Sequence, residues 1–294
     1  MAFSTGAQAQ LAYIPEVTWG TTPATPQMLL LPVSTAKMWR TVGERDAKLI
    51  RADRQVPNYF GGARLGNLEL EFPHTVGVYA DLYKLAFFDA TGPVFTIGTT
   101  PLFSTFELGH LDIGQYETLV GAMCKSITWS CQGYDFFRVK MALIGLQYAL
   151  NSASLDDTPT PASTTAPRTT NGMVFNWWDA INYGGTQRTL KLSGFEITLD
   201  NNLDTIQLVN TRQVSGVVPG RAKVTGSFNV PFEDNFLMDA FNNETKCSFG
   251  LIFGSGNLKC ASLKFTSSET PVDKEGALFT KLNWQATDLT LTDV

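Results

Sequence analysis

The chain has 294 residues, of which 44% are hydrophobic, 12% aromatic and 17% charged, with a formal net charge of −5. No Lys/Arg cluster is dense enough to neutralise a row of phosphates, which excludes tight nucleic-acid binding through counterion release. The cysteines (Cys124, Cys131, Cys247 and Cys260) form no CxxC pair, and His74 and His110 are the only histidines, so zinc ligation is excluded and buried free thiols are expected.

Residues 1–33 carry Pro15, Pro23, Pro26 and Pro32, which deny a helix and predict an extended N-terminal arm. Its apolar points, among them Leu11, Tyr13, Val17 and Trp19, require a surface to lie on, either its own domain or a neighbouring subunit. Met1–Gly6 lacks a basic and apolar leader, and no run reaches the ~18 apolar residues of a membrane span. A soluble protein made in a reducing cytoplasm, without membrane insertion, is expected.

Residues 44–54 alternate in charge sign and lead into Arg54-Gln55-Val56 and then Gly61-Gly62, the composition of a long loop between strands. Over 66–72, Leu68, Leu70 and Phe72 alternate with Asn67, Glu69 and Glu71, the period of a strand with one buried face. Tyr79, Leu82, Tyr83 and Ala86 then fall at helical spacing. Strands are predicted at 102–108, 126–131 and 137–141. Residues 152–170, with Pro159, Pro161 and Pro167 among Ser and Thr, have linker composition and are not expected to pack. Further strands follow at 190–199, 226–232, 246–253, 258–266 and 279–291, the first with a phase shift at Ser193-Gly194 that predicts a β-bulge. Phe236, Leu237, Ala240 and Phe241 form a second helical pattern, with Asp234 as its N-cap.

The chain repeats itself. Arg54-Gln55-Val56 recurs as Arg212-Gln213-Val214 at an offset of 158, and the run from Gly66 recurs from Gly226 at an offset of 160. Trp129 is matched with Trp284, at an offset of 155. Ordered anchors at nearly constant offset predict two tandem β domains, each with one short helix and with sandwich or barrel architecture. The boundaries are an arm at 1–33, a first domain at 34–150, a linker at 151–171 and a second domain at 172–294.

Catalytic constellations are not found. Gly61–Gly66 spells GxxxxG but lacks the following lysine and helix of a phosphate loop. Neither histidine stands near a nucleophile elbow. Glu69 and Glu71 share a strand face, but the repeat carries Asn229 and Pro231 there, so an acidic solvent- or lumen-facing surface is favoured over a glycosidase pair. Trp177-Trp178 admits a sugar platform, although adjacent strand residues point to opposite faces and favour one in the core and one in an interface.

Several stretches together carry a resemblance: Gly6–Tyr13 with Glu16–Pro23, Leu31-Pro32, Phe106-Glu107-Leu108, Asp112–Tyr116, Val120–Met123 before Ser126–Trp129, and Gly220–Phe228. The chain resembles the siphophage major tail tube protein family. The resemblance implies a β-sandwich with a flanking helix, stacked as rings into a hollow virion tail tube that houses the tape-measure protein and passes DNA without specific binding. Tail terminator and distal tail proteins are implied partners, and assembly in the host cytoplasm is implied. No enzyme activity, cofactor or metal is implied. Ring-to-ring or subunit contact candidates are Arg51, Arg54, Gln55, Val56, Tyr59, Arg212, Gln213, Val214, Tyr13 and Trp19, and lumen candidates are Glu69, Glu71 and Asn229. If six tube domains close a ring, a duplicated chain closes it as a homotrimer with pseudo-sixfold symmetry, and an acidic lumen would repel phosphates. The alternatives are a decoration or adaptor protein of the virion, or a carbohydrate-binding β-sandwich.

Overall fold

The computed structural model describes residues 5–46, 59–233, 235–270 and 277–293. The first half holds β1 (Ala9–Pro15), β2 (Leu29–Leu31), β3 (Thr35–Asp46), β4 (Tyr59–Pro73), α1 (Ala80–Phe87), β5 (Val94–Thr96), β6 (Ser104–His110), β7 (Gln115–Gln132), β8 (Arg138–Gly145) and β9 (Gln147–Asn151). The second holds β10 (Val174–Trp178), β11 (Gln187–Leu190), β12 (Gly194–Asp200), β13 (Leu203–Ile206), β14 (Gly216–Pro219), β15 (Lys223–Pro231), α2 (Phe236–Asn242), β16 (Cys247–Phe253), β17 (Gly256–Glu269), β18 (Phe279–Ala286) and β19 (Thr290–Thr292). Among the described residues the architecture is mainly β, with one short α-helix in each half.

The same pairing pattern runs through both halves. An outer sheet has the order β2-β1-β6-β7-β9 in the first half and β11-β10-β16-β17-β19 in the second. An inner sheet has the order β3-β4-β8-β7 and then β12-β15-β18-β17. β7 and β17 serve both sheets, and each crosses from one to the other at bulges. The β7 bulge lies between Cys124 and Ser126 opposite Leu143 and Ala142, and the β17 bulge between Phe265 and Ser267 opposite Trp284 and Asn283.

Aligning these bulges corrects two sequence anchors. Trp284 is the counterpart of Leu143, not of Trp129, because it lies on β18 while Trp129 lies on β7. Through its cross-strand partner, Gly226 then corresponds to Leu68, so the strand repeat keeps the 158-residue offset of the triplets and not the offset of 160. The reason is a volume exchange. Leu68 faces Leu143 in the first half, whereas Gly226 leaves room for the Trp284 ring in the second, and a Cβ on Gly226 would strike that ring. Hydrophobic pattern matching slides by one strand period to align Leu68 with Phe228, because a glycine carries no apolar signal.

One open alternative is resolved, and other expectations are revised. The arm packs in cis, with β1 and β2 forming the edge of the first outer sheet and Tyr13 buried against Phe106. The 151–171 segment packs too. Ser154 Oγ and the Leu155 N–H donate to the buried Glu107 carboxylate, and Thr160 exchanges backbone hydrogen bonds with Met28 and Leu30. Prolines remove only their own donors, so the residues between them still dock. The phase shift at Ser193-Gly194 is a strand end rather than a bulge: β11 pairs with β10 in the outer sheet and β12 with β7 and β15 in the inner one. The strand predicted over 279–291 is interrupted between β18 and β19. Asp234 lies outside the described residues, and Asn235 precedes α2.

Alternating apolar residues of both inner sheets meet the helices and outer sheets in one core. Trp129, Trp177 and Trp284 are fully buried in it, and α1 contributes Leu82, Tyr83, Leu85, Ala86 and Phe87. Phe137 contacts Phe195 and Phe253, so the core is continuous between the halves. All four cysteines are free; Cys131 is half-buried and the others are buried.

Candidate assembly surface

The halves are joined edge to edge. β12 pairs antiparallel with the C-terminal part of β7, from Gly194↔Gln132 to Asp200↔Ser126, and Thr128 and Thr198 hydroxyls meet across the seam at 2.9 Å. The result is one continuous inner sheet, β3-β4-β8-β7-β12-β15-β18-β17. β19 fastens the same joint from behind by pairing with β5, Leu291 opposite Phe95.

Because side chains alternate along each strand, burying Leu70, Met141, Ile127, Ile197, Phe228 and Leu282 turns the intervening residues to the other face. That face is largely polar, carrying Glu69 and Glu71 on β4, Thr128 and Ser130 on β7, Thr198 on β12, Ser227 and Asn229 on β15, and Asn283 on β18, with Trp39, Ala142 and Phe279 as apolar points among them. A concavity of about 670 Å³ opens on it, lined by Ser130, Arg138, Glu196, Asn229, Glu269 and Lys281 among others. The face is of mixed charge, not acidic as expected. Glu71 is neutralised by Arg138 at 3.2 Å and Lys140 at 3.5 Å, and Lys281 stands opposite Glu269. The alternation that places glutamates on β4 also places their cations on β8.

Two inner-sheet edges have no strand partner among the described residues. β3 pairs with β4 alone, and the 264–269 stretch of β17 pairs with β18 alone.

Of the two copies of the predicted triplet, the second lies among the described residues. Arg51, Arg54, Gln55 and Val56 lie outside the described residues, and Tyr59 enters only as the first residue of β4. The second copy folds onto its own first half. Arg64 N–H donates to the Arg212 carbonyl at 2.6 Å, and the Arg212 guanidinium donates to the Gly61 carbonyl at 2.8 Å. Val214 is buried with Phe88, Met123, Ile144 and Val217, which leaves Gln213 and the Arg212 stem at the surface. Tyr13 donates its hydroxyl to Asp81 at 2.9 Å, and Trp19 donates its indole N–H to the Gly121 carbonyl at 3.1 Å while stacking on Phe103. Both aromatic candidates of the arm are thus engaged within the chain. Trp177 is core, stacked on Phe265, while Trp178 packs on Tyr183 and over Gly250.

One buried polar cluster escaped the sequence reading. His74 Nδ1 lies 2.6 Å from the Tyr83 hydroxyl, and Nε2 lies 3.6 Å from Asp293 Oδ1. Burial, with Arg168 nearby, lowers the His74 pKa to about 3, and burial raises that of Asp293 to about 6. Phe137 and Phe253 close over the imidazole. The cluster is sealed and ties both halves to the C-terminal strand. Its signal, a lone histidine after a strand-ending proline, carries no long-range information.

Among the described residues no group of three or more His, Cys, Asp or Glu is placed to hold a metal, and no helix is long and apolar enough to cross a membrane.

A family model described as phage tail tube protein matches residues 6–286. Among solved structures, the tail of an empty GTA particle, refined helically with C6 symmetry, is similar at 14% identity, covering 40% of this chain and 93% of that one, with a TM-score of 0.33. The six-fold symmetrised baseplate of the anti-feeding prophage is similar at 9% identity, covering 44% of this chain and 97% of that one, with a TM-score of 0.33. Among curated proteins, none matches the chain.

Proposed function

The chain belongs to the phage tail tube protein family, and from that premise we propose that three copies close each ring of the tube with the polar face of the inner sheet turned to the lumen. As a member it is a structural subunit of a virion tail that self-assembles. The observation that carries the finer reading is the inner sheet shared by both halves, since β12 follows β7 as the next strand of one continuous surface. Two like halves per chain make three chains the equivalent of six units. A lumen of hydroxyls, amides and locally paired charges offers DNA no cationic row to bind, so sliding does not require net acidity. In this reading the tube houses a tape-measure protein, is capped by terminator and distal tail proteins, and assembles in the host cytoplasm.

Gln213 and the Arg54-Gln55-Val56 triplet remain the proposed axial contacts. Negative-stain microscopy of concentrated protein tests the reading. Rings or tubes are expected; compact monomers under every condition would overturn it.

A further inference from the structure

The internal joint is a template for a second joint that one chain alone cannot make. β12 and β3 occupy the same place in their halves: Ser193 and Ser34, each just before the strand, donate N–H groups to the equivalent carbonyls of Asn229 and Glu71. β7 and β17 are equivalent through the bulge that each carries at its turn between sheets. Within the chain, the β7 edge is filled by β12. The corresponding edge of β17, and the outer edge of β3 that corresponds to the filled edge of β12, have no partner among the described residues. Such rows of open N–H and C=O groups invite strand addition.

We propose that the β17 edge of one copy pairs antiparallel with β3 of the next, in the register of the internal joint. This rests on the tube reading and specifies its joint residue by residue. Carrying Ser126↔Asp200, Ile127↔Leu199, Thr128↔Thr198 and Trp129↔Ile197 across the two equivalences gives Ser267↔Thr41, Ser268↔Arg40, Glu269↔Trp39 and Thr270↔Met38. The charges agree. Glu269 comes opposite Trp39, over whose ring the Lys37 ammonium sits at 4.9 Å, so the carboxylate meets a cation on the diagonal.

The second joint also differs from its template. The α1–β6 connection contains β5, which clasps β19, whereas α2 and β16 are separated only by residues 243–246, which hold no strand. The chain-to-chain joint therefore lacks the clasp and is the one that opens first on dilution or in mild denaturant.

Paired cysteines test the register in the full chain under oxidising conditions. Thr41→Cys with Ser267→Cys is expected to cross-link between copies, giving a ladder on non-reducing gels that ends at three chains. Ser126→Cys with Asp200→Cys, its counterpart at the internal joint, should close within one chain. Rings in the microscope with a closed internal control but no ladder would overturn the joint and leave the tube standing. A ladder from Thr41→Cys with Glu269→Cys instead would overturn the register. A closed control with neither ladder nor rings would overturn joint and tube together.

Discussion

The two hairpins at the tops of the inner sheets occupy the same topological place and do different things. In the first half, β3 and β4 run on past a bulge at Val42–Glu44, to Asp46 and from Tyr59, without leaving the strand path. In the second the same path is cut: β12 stops at Asp200 and β13 resumes at Leu203, while β14 ends at Pro219 and β15 starts at Lys223. Asn201 makes the cut. Its buried side-chain amide donates to the carbonyls of Ala86 and Cys124, both at 2.9 Å, and its own N–H donates to Lys125. Asn202 takes a positive φ of 48°, and Gly220 N–H closes the bend from the other strand. The counterpart of Asn201 in the first half is Val42, 40% exposed and without any such anchor. One copy of the duplicated hairpin is thus bent inward and braces the joint between the halves.

The largest test of that contrast is Asn201→Ala. It strands two buried carbonyls and should cost about 2–4 kcal/mol, whereas Val42→Ala should cost less than about 0.5 kcal/mol as an ordinary surface change. Denaturant midpoints measure both, and equal shifts would erase the distinction between the hairpins. Next comes the volume exchange. Gly226→Ala should destabilise by about 1–3 kcal/mol through overpacking against both the Glu196 carbonyl and the Trp284 ring. Gly226→Leu combined with Trp284→Leu, which restores the Leu68–Leu143 pair of the first half, should lose less stability than Gly226→Leu alone. If the double variant is no better, the Glu196 carbonyl and not the Trp284 ring is what requires glycine at 226, and the volume exchange is wrong.

The clasp that distinguishes the internal joint from the chain-to-chain one has its own pH signature. Asp293 follows β19 directly, and its folded pKa of about 6 lies above its unfolded value, so its contribution is present at low pH and lost as pH rises through about 6. His74 runs the other way. Its folded pKa of about 3 lies below the unfolded value, so its contribution is present above about 6.5 and lost as pH falls. Between about pH 4 and 6 the two nearly cancel, because folding moves one proton from imidazole to carboxyl. Asp293→Asn should therefore lose stability as pH falls below about 6.5, and His74→Gln as pH rises from about 4 to 6, each with a slope of up to about 1.4 kcal/mol per pH unit. Thermal melts across pH read the slopes, and slopes of the same sign would contradict the assignment.

The smallest effect is expected at the hairpin tip. Arg212→Ala removes one exposed hydrogen bond, worth about 0.5 kcal/mol, and should speed amide exchange at Arg64 with little change in global stability.

How much of this was legible in the chain follows physical range. Period-2 alternation at 66–72 and the spacing of Tyr79, Leu82, Tyr83 and Ala86 are local signals, and β4 and α1 appear where they predict. The duplication was visible in its triplets. Its register was not, since Gly226 and Trp284 exchange volume between strands that are distant in sequence. The cis docking of the arm depends on Glu16, which receives the Thr105 hydroxyl and the Gly121 N–H from strands about ninety and a hundred residues away. The bent hairpin was hidden because Asn201-Asn202 has the same composition whether a turn ends a strand or folds it onto a neighbour. Of the candidate contacts, Tyr13, Trp19 and Val214 carried the right character, apolar and requiring cover, but sequence could not say that the cover lies in the same chain.

The most direct test of the central claim is a cryo-electron microscopy reconstruction of one assembled ring. Three chains around a single continuous inner sheet are expected, with β17 of each copy hydrogen-bonded to β3 of the next and the Glu71, Thr128 and Asn229 side chains facing the lumen. A ring of six chains, or one whose copies meet without that strand pair, would contradict it.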